Sequence, residues 1–250
     1  MKFTATKEFE AWATGYSGCD GGNINGPIWF CGIEYGGGET ESDFMSDDAI
    51  TPRHIEADKL RNHLKPQYNR KMAKIYSTIC QQEVRHYLEN AEERQLMSPK
   101  GDVFKMNLFP IAFRKDHDEL WKKWIFDRTG LPTKSMYRAW CQNNRFTKIQ
   151  EWVTNYNPKL IVATSTYYES DFIMAFGGVG AIYSRDIVEE EKIQCRNLVW
   201  LPINDGKTIL AITPFLGYRY GINSDELMSG FGNRLNEICV DRFGENWLSK

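Results

Sequence analysis

Short apolar runs alternate along the chain with longer stretches in which apolar residues recur every third or fourth position. Three of the runs are PIWFCGI at 27–33, GDVFKMNLFP at 101–110 and PKLIVATST at 158–166, and their β-branched and aromatic content favours buried strands. Two further runs, RNLVWLPI at 196–203 and TILAIT at 208–213, flank the tripeptide NDG, which is typical of a hairpin turn. These runs predict the strands of a sheet.

Polar stretches with helical spacing of their apolar residues lie between the predicted strands. The longest covers residues 53–97, where Met72, Ile75 and Ile79 fall on one helical face and Pro66 is expected to divide the region into two helices. Further helices are predicted at 116–127, 132–144, 146–157 and about 225–243. The alternation of strands and helices predicts an α/β layer fold with a mainly parallel sheet.

The composition is that of an ordinary globular protein. Apolar residues make up 42% and charged residues 26% of the 250 residues, and no internal repeat or Pro/Ser-rich linker divides them, so a single domain over residues 1–250 is predicted. No apolar run approaches the roughly 18 residues that span a bilayer, and the first residues lack the apolar core of a signal peptide. We therefore expect a cytoplasmic protein without membrane contact.

Cysteine spacing and net charge narrow the chemistry. The six cysteines are widely scattered, with no C-x-x-C pair and no histidine at zinc-ligand spacing, so free thiols, no metal site and no cofactor are expected. The net charge is −2, so any contact with nucleic acid needs a local basic face. Two stretches offer one, although each alone is also typical of a solvated helix face. Their basic residues are Arg61, Lys65, Arg70, Lys71 and Lys74, and then Arg114, Lys115, Lys122 and Lys123.

Polar residues stand at the carboxyl ends of several predicted strands. Glu34 follows the first strand, Asn107 lies near the end of the second, Thr164–Thr166 end the third, and Thr213 ends the last. Ligands of open α/β sheets bind in the crevice beyond the carboxyl ends of the strands. We therefore expect these residues to converge on one cleft, although they are far apart along the chain.

Glu34 is the first candidate for chemistry in this set. It lies in WFCGIEYGGGETESDF at 29–44, where the strand stops at Gly32 and three glycines follow at 36–38. A carboxylate half removed from water can act there as general base for a water molecule, and the glycines let a ligand approach backbone N–H groups. The loop contains neither GK[ST] nor GxGxxG, which argues against a nucleoside-triphosphate site. A glycine turn without chemistry is the alternative.

Asn107 and the loop at 213–221 indicate which ligand such a cleft would take. The Asn107 amide presents a donor and an acceptor in one plane, which suits the Watson–Crick edge of a pyrimidine such as uracil. The loop TPFLGYRYG carries aromatic rings and one arginine, and exposed rings stack on bases. The alternatives are that Asn107 caps a turn and that Phe215 and Tyr218 pack under the loop.

The ordered set of strand ends resembles the uracil-DNA glycosylase superfamily over about residues 27–240. The first motif of that superfamily, G-x-D/N-P-x, is similar to GIEYG at 32–36, its TNLVP to MNLFP at 106–110, and its PKVIVALG to PKLIVATST. Its last motif, H-P-S-x-L, corresponds to TPFLG at 213–217. The resemblance implies a three-layer α/β/α fold around a mainly parallel four-stranded central sheet, with a helical insertion at about 45–100.

The resemblance also implies a mechanism on DNA. A flipped uracil or damaged base would be read by Asn107 and stacked on Phe44, while water directed by Glu34 attacks the sugar C1′ and the N-glycosidic bond breaks. Thr213 would help to hold the departing base, and Arg219 would enter the gap left in the duplex. In full, the resemblance implies catalytic roles for Glu34 and Thr213, substrate contacts for Gly32, Ile33, Tyr35, Gly36, Phe44, Asn107 and Phe109, and DNA contacts for Tyr218 and Arg219.

Two departures from the superfamily pattern bear on activity. The motif histidine that stabilises the departing base is replaced by Thr213, which donates one hydrogen bond but carries no charge, and the motif proline is replaced by Tyr35. Three hypotheses therefore stand: a DNA glycosylase-like hydrolase, a nucleic-acid- or nucleotide-binding protein on the same fold that has lost turnover, and an unrelated α/β hydrolase. The last is disfavoured because the chain has no G-x-S-x-G elbow.

Overall fold

The computed structural model of the protein describes residues 3–36, 40–45, 49–113, 120–183, 188–217 and 219–248. Helices and strands alternate in this part of the chain. The helices are α1 Lys7–Thr14, α2 Leu60–His63, α3 Gln67–Ile79, α4 Tyr87–Glu93, α5 Lys123–Thr129, α6 Lys134–Asn143, α7 Arg145–Tyr156, α8 Glu169–Gly177, α9 Val179–Tyr183 and α10 Asp225–Phe243. The strands are β1 Cys19–Gly22, β2 Ile28–Gly32, β3 Val103–Asn107, β4 Leu160–Thr164, β5 Glu189–Ile193, β6 Arg196–Ile203 and β7 Thr208–Thr213.

The strands of the described residues form one mixed sheet in the order β1-β3-β2-β4-β7-β6-β5. The central strands β3, β2, β4 and β7 are parallel to one another, whereas β1 pairs antiparallel with β3, and β5, β6 and β7 pair antiparallel in turn. The predicted α/β class and the hairpin at 204–206 are confirmed. The prediction of a mainly parallel four-stranded central sheet is not confirmed, because the described residues form a mixed sheet of seven strands.

Strands β1 and β5 have no counterpart in the sequence prediction because neither has the composition of a strand. β1 is CDGG, and its two glycines have φ angles of 102° and 103°, in the region that only glycine adopts readily. β5 is EEEKI at the edge of the sheet, where exposed charges oppose pairing with another chain. Both strands are therefore specified by their neighbours and not by their own hydrophobic pattern.

Side chains of the central strands alternate between two hydrophobic cores, one on each face of the sheet. In β2, Trp29 and Cys31 pack in one core, whereas Ile28 and Phe30 pack in the other. Helices α1, α6, α7 and α8 supply the first core, and α3 and α10 supply the second. We call these two sides the α6 face and the α3 face.

The helical region at 53–97 differs in detail from its prediction. It contains three α-helices and not two, because α3 ends at Ile79 and the chain turns at Gln81, which has a φ of 60°. Pro66 directly precedes α3, as predicted. Tyr76 of α3 is fully buried, and α3 packs against α10 over the sheet, so this helix supplies part of the core of the α3 face.

Three of the other predicted helices are confirmed, and three observed helices have no counterpart in the prediction. The expected helices at 132–144, 146–157 and 225–243 correspond to α6, α7 and α10, whereas α1, α8 and α9 were not anticipated. The beginning of the predicted helix at 116–127 lies outside the described residues, and α5 begins at Lys123. Within the described ranges, no helix is both long and apolar enough to cross a membrane.

Candidate functional site

The carboxyl ends of the four parallel strands bring Asn107, Gly32, Thr164 and Thr213 to one edge of the sheet. Gly32 is in register with Asn107, and Thr164 with Thr213. Because side chains alternate along a strand, all four residues face the α3 side of the sheet. We call this set the strand-end row. Three of the four strand ends predicted to converge, those at Asn107, Thr164 and Thr213, therefore lie in this row together with Gly32, whereas Glu34 does not.

The Asn107 amide is tied to the backbone around it. Its Nδ2 donates to the carbonyl oxygen of Gly18 at 3.0 Å, and its backbone N–H donates to the same oxygen at 2.9 Å. Its Oδ1 lies 2.6 Å from the place where a Cβ on Gly32 would stand, so a larger residue at position 32 would require this amide to move. Asn107 is buried, and its reading of a pyrimidine edge stays a prediction.

Arg145, at the start of α7, holds the end of β3 in place. Its buried guanidinium donates to the carbonyl oxygens of Leu108 at 2.9 Å, Asn107 at 3.2 Å and Ser17 at 2.8 Å. A further bond to the carbonyl oxygen of Ala13 joins the segment that precedes β1. Arg145 therefore holds the end of β3 against the segment that precedes β1, and the Asn107 amide bonds across these two segments.

Thr213 directs its hydroxyl into the protein. The Oγ1 donates to the carbonyl oxygens of Ala163 at 3.3 Å and Pro214 at 3.2 Å, and the side chain is fully buried. Next to it, Ser165 has φ 152° and ψ 109°, a conformation that costs a residue other than glycine about 1–3 kcal/mol. Backbone strain of this kind is concentrated at functional sites, and here it lies directly after β4.

Tyr68 of α3 closes the strand-end row from the side of the helices. Its hydroxyl lies 2.9 Å from Thr164 Oγ1, which in turn donates to the carbonyl oxygen of Cys31 at 3.2 Å. The same hydroxyl is 3.5 Å from the Cβ position of Gly32. Burial raises the pKa of the Tyr68 phenol, which therefore stays protonated at neutral pH. This contact is not predictable from the sequence, because nothing local to Tyr68 indicates which strand its ring reaches.

A buried charged cluster lies beneath the Tyr68 ring. Lys105 Nζ is 4.9 Å from the ring centroid, pairs with Asp20 Oδ2 at 2.5 Å and donates to Asn69 Oδ1 at 2.8 Å. Burial lowers the pKa of nearby His63, while Asp20 raises it and Lys105 lowers it further. The helical region at 53–97 therefore supplies polar side chains directly below the row.

Glu34 lies two residues beyond β2 and faces the opposite side of the sheet. Its Oε1 is 3.6 Å from Nζ of Lys134, and the two side chains are 11% and 0% exposed. Nζ of Lys134 also lies 4.0 Å from the centroid of the Phe113 ring. Lys134 is the first residue of α6, and a positive charge at the positive end of a helix dipole is unfavourable. The Glu34 carboxylate and the face of the Phe113 ring offset this unfavourable interaction.

Tyr137, one turn further along α6, completes the surroundings of Glu34. Burial is the main cause that raises the pKa of the Tyr137 phenol, and the Glu34 charge contributes to the same shift. The Tyr137 hydroxyl accepts a hydrogen bond from the backbone N–H of Ile111 at 3.0 Å. The carboxylate therefore lies among α6 residues, whereas the Asn107 amide lies on the α3 face. The structure brings the backbones of the two residues to one edge but directs their side chains to different elements.

A backbone ladder continues past the ends of β2 and β3. Leu108 N donates to Gly32 O at 2.9 Å, and Phe109 N donates to Ile33 O at 2.8 Å. Phe113 N then donates to Tyr35 O at 3.2 Å. The predicted substrate residues Ile33, Tyr35 and Phe109 are therefore neighbours, with Phe109 buried.

The remaining predicted site residues lie apart from the row or outside the described residues. Phe44 is 2% exposed, and its ring packs at 5.5 Å from Trp12 and 5.4 Å from Trp124, on the α6 face. Gly36 is exposed, with no described atom within 4 Å of its Cβ position. Arg219 is exposed beyond β7. Tyr218 and the glycines at 37–38 lie outside the described residues.

A cavity lies elsewhere in the described part of the chain. It has a volume of about 330 Å³ and lies between α10 and the β6–β7 hairpin, with Trp200, Pro202, Ile209 and Arg234 in its wall. Ile209 is near the beginning of β7, so this cavity is at the other end of the strand from Thr213. We therefore place the candidate site at the carboxyl edge on chemical grounds and not on cavity size.

Comparisons with known proteins add no assignment. In the described ranges, no group of three or more His, Cys, Asp or Glu side chains is placed to hold a metal ion. No protein-family model, curated protein or solved structure matches the chain.

Proposed function

We propose that the protein is a DNA base-excision glycosylase-like hydrolase with a uracil-DNA glycosylase-like three-layer fold. It hydrolyses the N-glycosidic bond of a flipped uracil or damaged base. Helices on both faces of the sheet and four parallel central strands support the fold. The catalytic carboxylate is Glu34, and Asn107 reads the base.

The observation that carries the proposal is the buried Glu34–Lys134 ion pair at the carboxyl end of β2. Burying two charges is expensive, and their attraction often does no more than offset the loss of hydration. The pair as a whole therefore adds little net stability, which favours a functional reason for a carboxylate at this place. Glu34 also follows a central parallel strand, and ligands of open α/β sheets bind beyond the carboxyl ends of such strands.

The proposed reaction places the base across the edge of the sheet, over the backbone at 33–35. Asn107 then approaches from the α3 face and Glu34 from the α6 face. The target nucleotide leaves the base stack at a cost of a few kcal/mol. Glu34 orients or deprotonates a water molecule, the water oxygen bonds to C1′, and the N-glycosidic bond electrons leave with the base.

Stabilisation of the departing base is the weak part of this site. The Thr213 hydroxyl already donates to backbone carbonyl groups, so backbone N–H groups must serve instead. Loss of one preorganised donor lowers the rate by about 10²–10³ in comparable anion-stabilising sites. We therefore expect slow turnover.

A second candidate is a nucleic-acid-binding protein on the same fold that does not turn over. It is favoured by the engagement of Thr213 Oγ1 and Asn107 Nδ2 in bonds to the backbone. Both candidates use the same edge of the sheet. They differ in whether the N-glycosidic bond is broken.

A lesion-panel assay tests the proposal. Single- and double-stranded oligonucleotides with uracil or one of several damaged bases are incubated with the protein, treated with alkali and separated by size. The proposal predicts strand cleavage at one class of modified base. Intact DNA across the panel would overturn it, and retention of that DNA on a filter would favour the binding protein.

A further inference from the structure

Two tyrosines stand exposed at the same edge of the sheet as the candidate site. Tyr167, three residues beyond β4, is 88% exposed, and Tyr220, seven residues beyond β7, is 77% exposed. Strands β4 and β7 are neighbours, with Thr164 in register with Thr213. Tyr220 belongs to the loop TPFLGYRYG at 213–221, whose rings are predicted to stack on bases, whereas Tyr167 belongs to no predicted site.

The turn that carries Tyr167 is well supported. Tyr168 N donates to Ser165 O at 3.1 Å, which closes the turn. The Tyr167 ring meets the Tyr168 ring edge-on at 5.3 Å, and the Tyr168 hydroxyl accepts from Arg138 Nη2 at 2.8 Å. Contacts within the protein therefore hold the backbone of this turn in place before any ligand binds.

The loop that carries Tyr220 is anchored from two sides. Arg196 donates to the carbonyl oxygens of Gly221 at 3.2 Å and Arg219 at 3.1 Å. From α3, Lys71 Nζ donates to the carbonyl oxygen of Ile222 at 2.9 Å. Ordering this loop on binding therefore costs little conformational entropy.

Among the described residues, Arg219 is a cation that lies against one of these rings. The Arg219 guanidinium lies 5.9 Å from the centroid of Tyr220 and is exposed. In the basic stretch at 61–74, Arg61 pairs with Glu92 and Lys74 with Asp225. Stacking on the two rings is therefore the contribution to affinity that the described residues support best.

We propose that Tyr167 and Tyr220 form a stacking surface for single-stranded DNA, with Arg219 at a backbone phosphate. A tyrosine ring stacks only on a base whose face is open, and the bases of a duplex cover one another. This inference rests on the proposed function for the identity of the ligand as DNA. It adds the strand form and the residues that hold the strand beside the candidate site.

Fluorescence anisotropy with labelled, undamaged oligothymidylate measures this binding without base excision. We expect Tyr167→Ala and Tyr220→Ala each to weaken binding at least about fivefold, the lower end for loss of one base–ring stack. Tyr167→Phe and Tyr220→Phe keep the ring and should bind within about twofold of the wild type, since the stacking face is unchanged. Val179→Ala, at an exposed position of α9, should leave binding unchanged.

Arg219→Ala tests the phosphate contact. It should weaken binding and reduce the slope of log K against log salt by about one, as expected for loss of one phosphate contact. The inference is overturned if the alanine variants bind like the wild type, or if the wild type binds the duplex as tightly as the single strand. Because the probe contains no excisable base, these outcomes do not depend on whether the lesion panel detects glycosylase activity.

Discussion

The Glu34 carboxylate and the Lys134 ammonium face each other at the carboxyl end of β2, with 3.6 Å between Oε1 and Nζ. Glu34 lies in the glycine-rich loop after β2, whereas Lys134 begins α6, and no sequence motif links them. The pair joins the sheet edge to α6. The energetic coupling between the two side chains therefore determines how much stability a substitution of Glu34 costs.

A double-mutant cycle measures the coupling of this pair. Lys134→Met leaves a buried carboxylate, and Glu34→Gln leaves a buried ammonium, so each change should lower the free energy of unfolding by about 3 kcal/mol. The double variant should lose less than either single variant, because no uncompensated charge remains. Denaturant unfolding of the four proteins provides the values. Additive losses would show that the two side chains do not interact.

Gly32 and Gly36 form a matched pair of glycines on either side of Glu34. Gly32→Ala places a Cβ 2.6 Å from Asn107 Oδ1 and should lower the free energy of unfolding by about 1–3 kcal/mol through overpacking. Gly36→Ala meets no described atom within 4 Å and should change it by less than about 0.5 kcal/mol. Thermal unfolding compares the two. Equal losses would contradict the close approach of the Asn107 amide to Gly32.

His63 should make stability sensitive to mild acid. Burial lowers its pKa in the folded state, so the unfolded chain takes up the proton first as the pH falls. The stabilising contribution is present above the unfolded pKa of about 6.5 and is lost as the pH falls through the lower folded value. His63→Gln should therefore lose less stability than the wild type between about pH 6.5 and pH 5. Identical pH profiles in urea unfolding would rule out this role.

Arg145 should be intolerant of even a charge-conserving change. Lysine has no fork of donors, so Arg145→Lys gives up at least two of the charged bonds to backbone carbonyl groups and should cost about 3–5 kcal/mol. Arg70→Lys, at an exposed position of α3, is the control and should change stability by less than about 0.5 kcal/mol. A loss below about 1 kcal/mol for Arg145→Lys would contradict its role in holding the end of β3.

The sequence was informative wherever burial alone determined the structure. The runs at 27–33, 158–166 and 208–213 are apolar because both faces of a central strand are covered, and they gave β2, β4 and β7 in nearly correct positions. β1 and β5 were missed because an edge strand of glycine or glutamate takes its conformation from the strand beside it. Gly32 and Asn107 end neighbouring strands, and they lie in one row because those strands are parallel.

The sequence pattern does not predict which side chains surround the site. Tyr68, Lys134 and Arg145 reach their partners from helices, and the partner depends on how each helix packs. The face to which a side chain turns after a strand ends is equally a tertiary property. Alternation stops at the strand end, and Glu34 therefore faces α6 while Asn107 faces α3.

The central claim is that Glu34 supplies the carboxylate for excision of a base. Single-turnover formation of alkali-labile sites tests it most directly, in single-stranded DNA that carries uracil or one of the damaged bases of the lesion panel. The wild type is compared with the variant carrying both Glu34→Gln and Lys134→Met. That variant removes both buried charges together and so keeps the fold better than Glu34→Gln alone. We predict slow cleavage by the wild type and none above background by the folded variant. Equal rates for the two proteins, or no cleavage by the wild type, would contradict the claim.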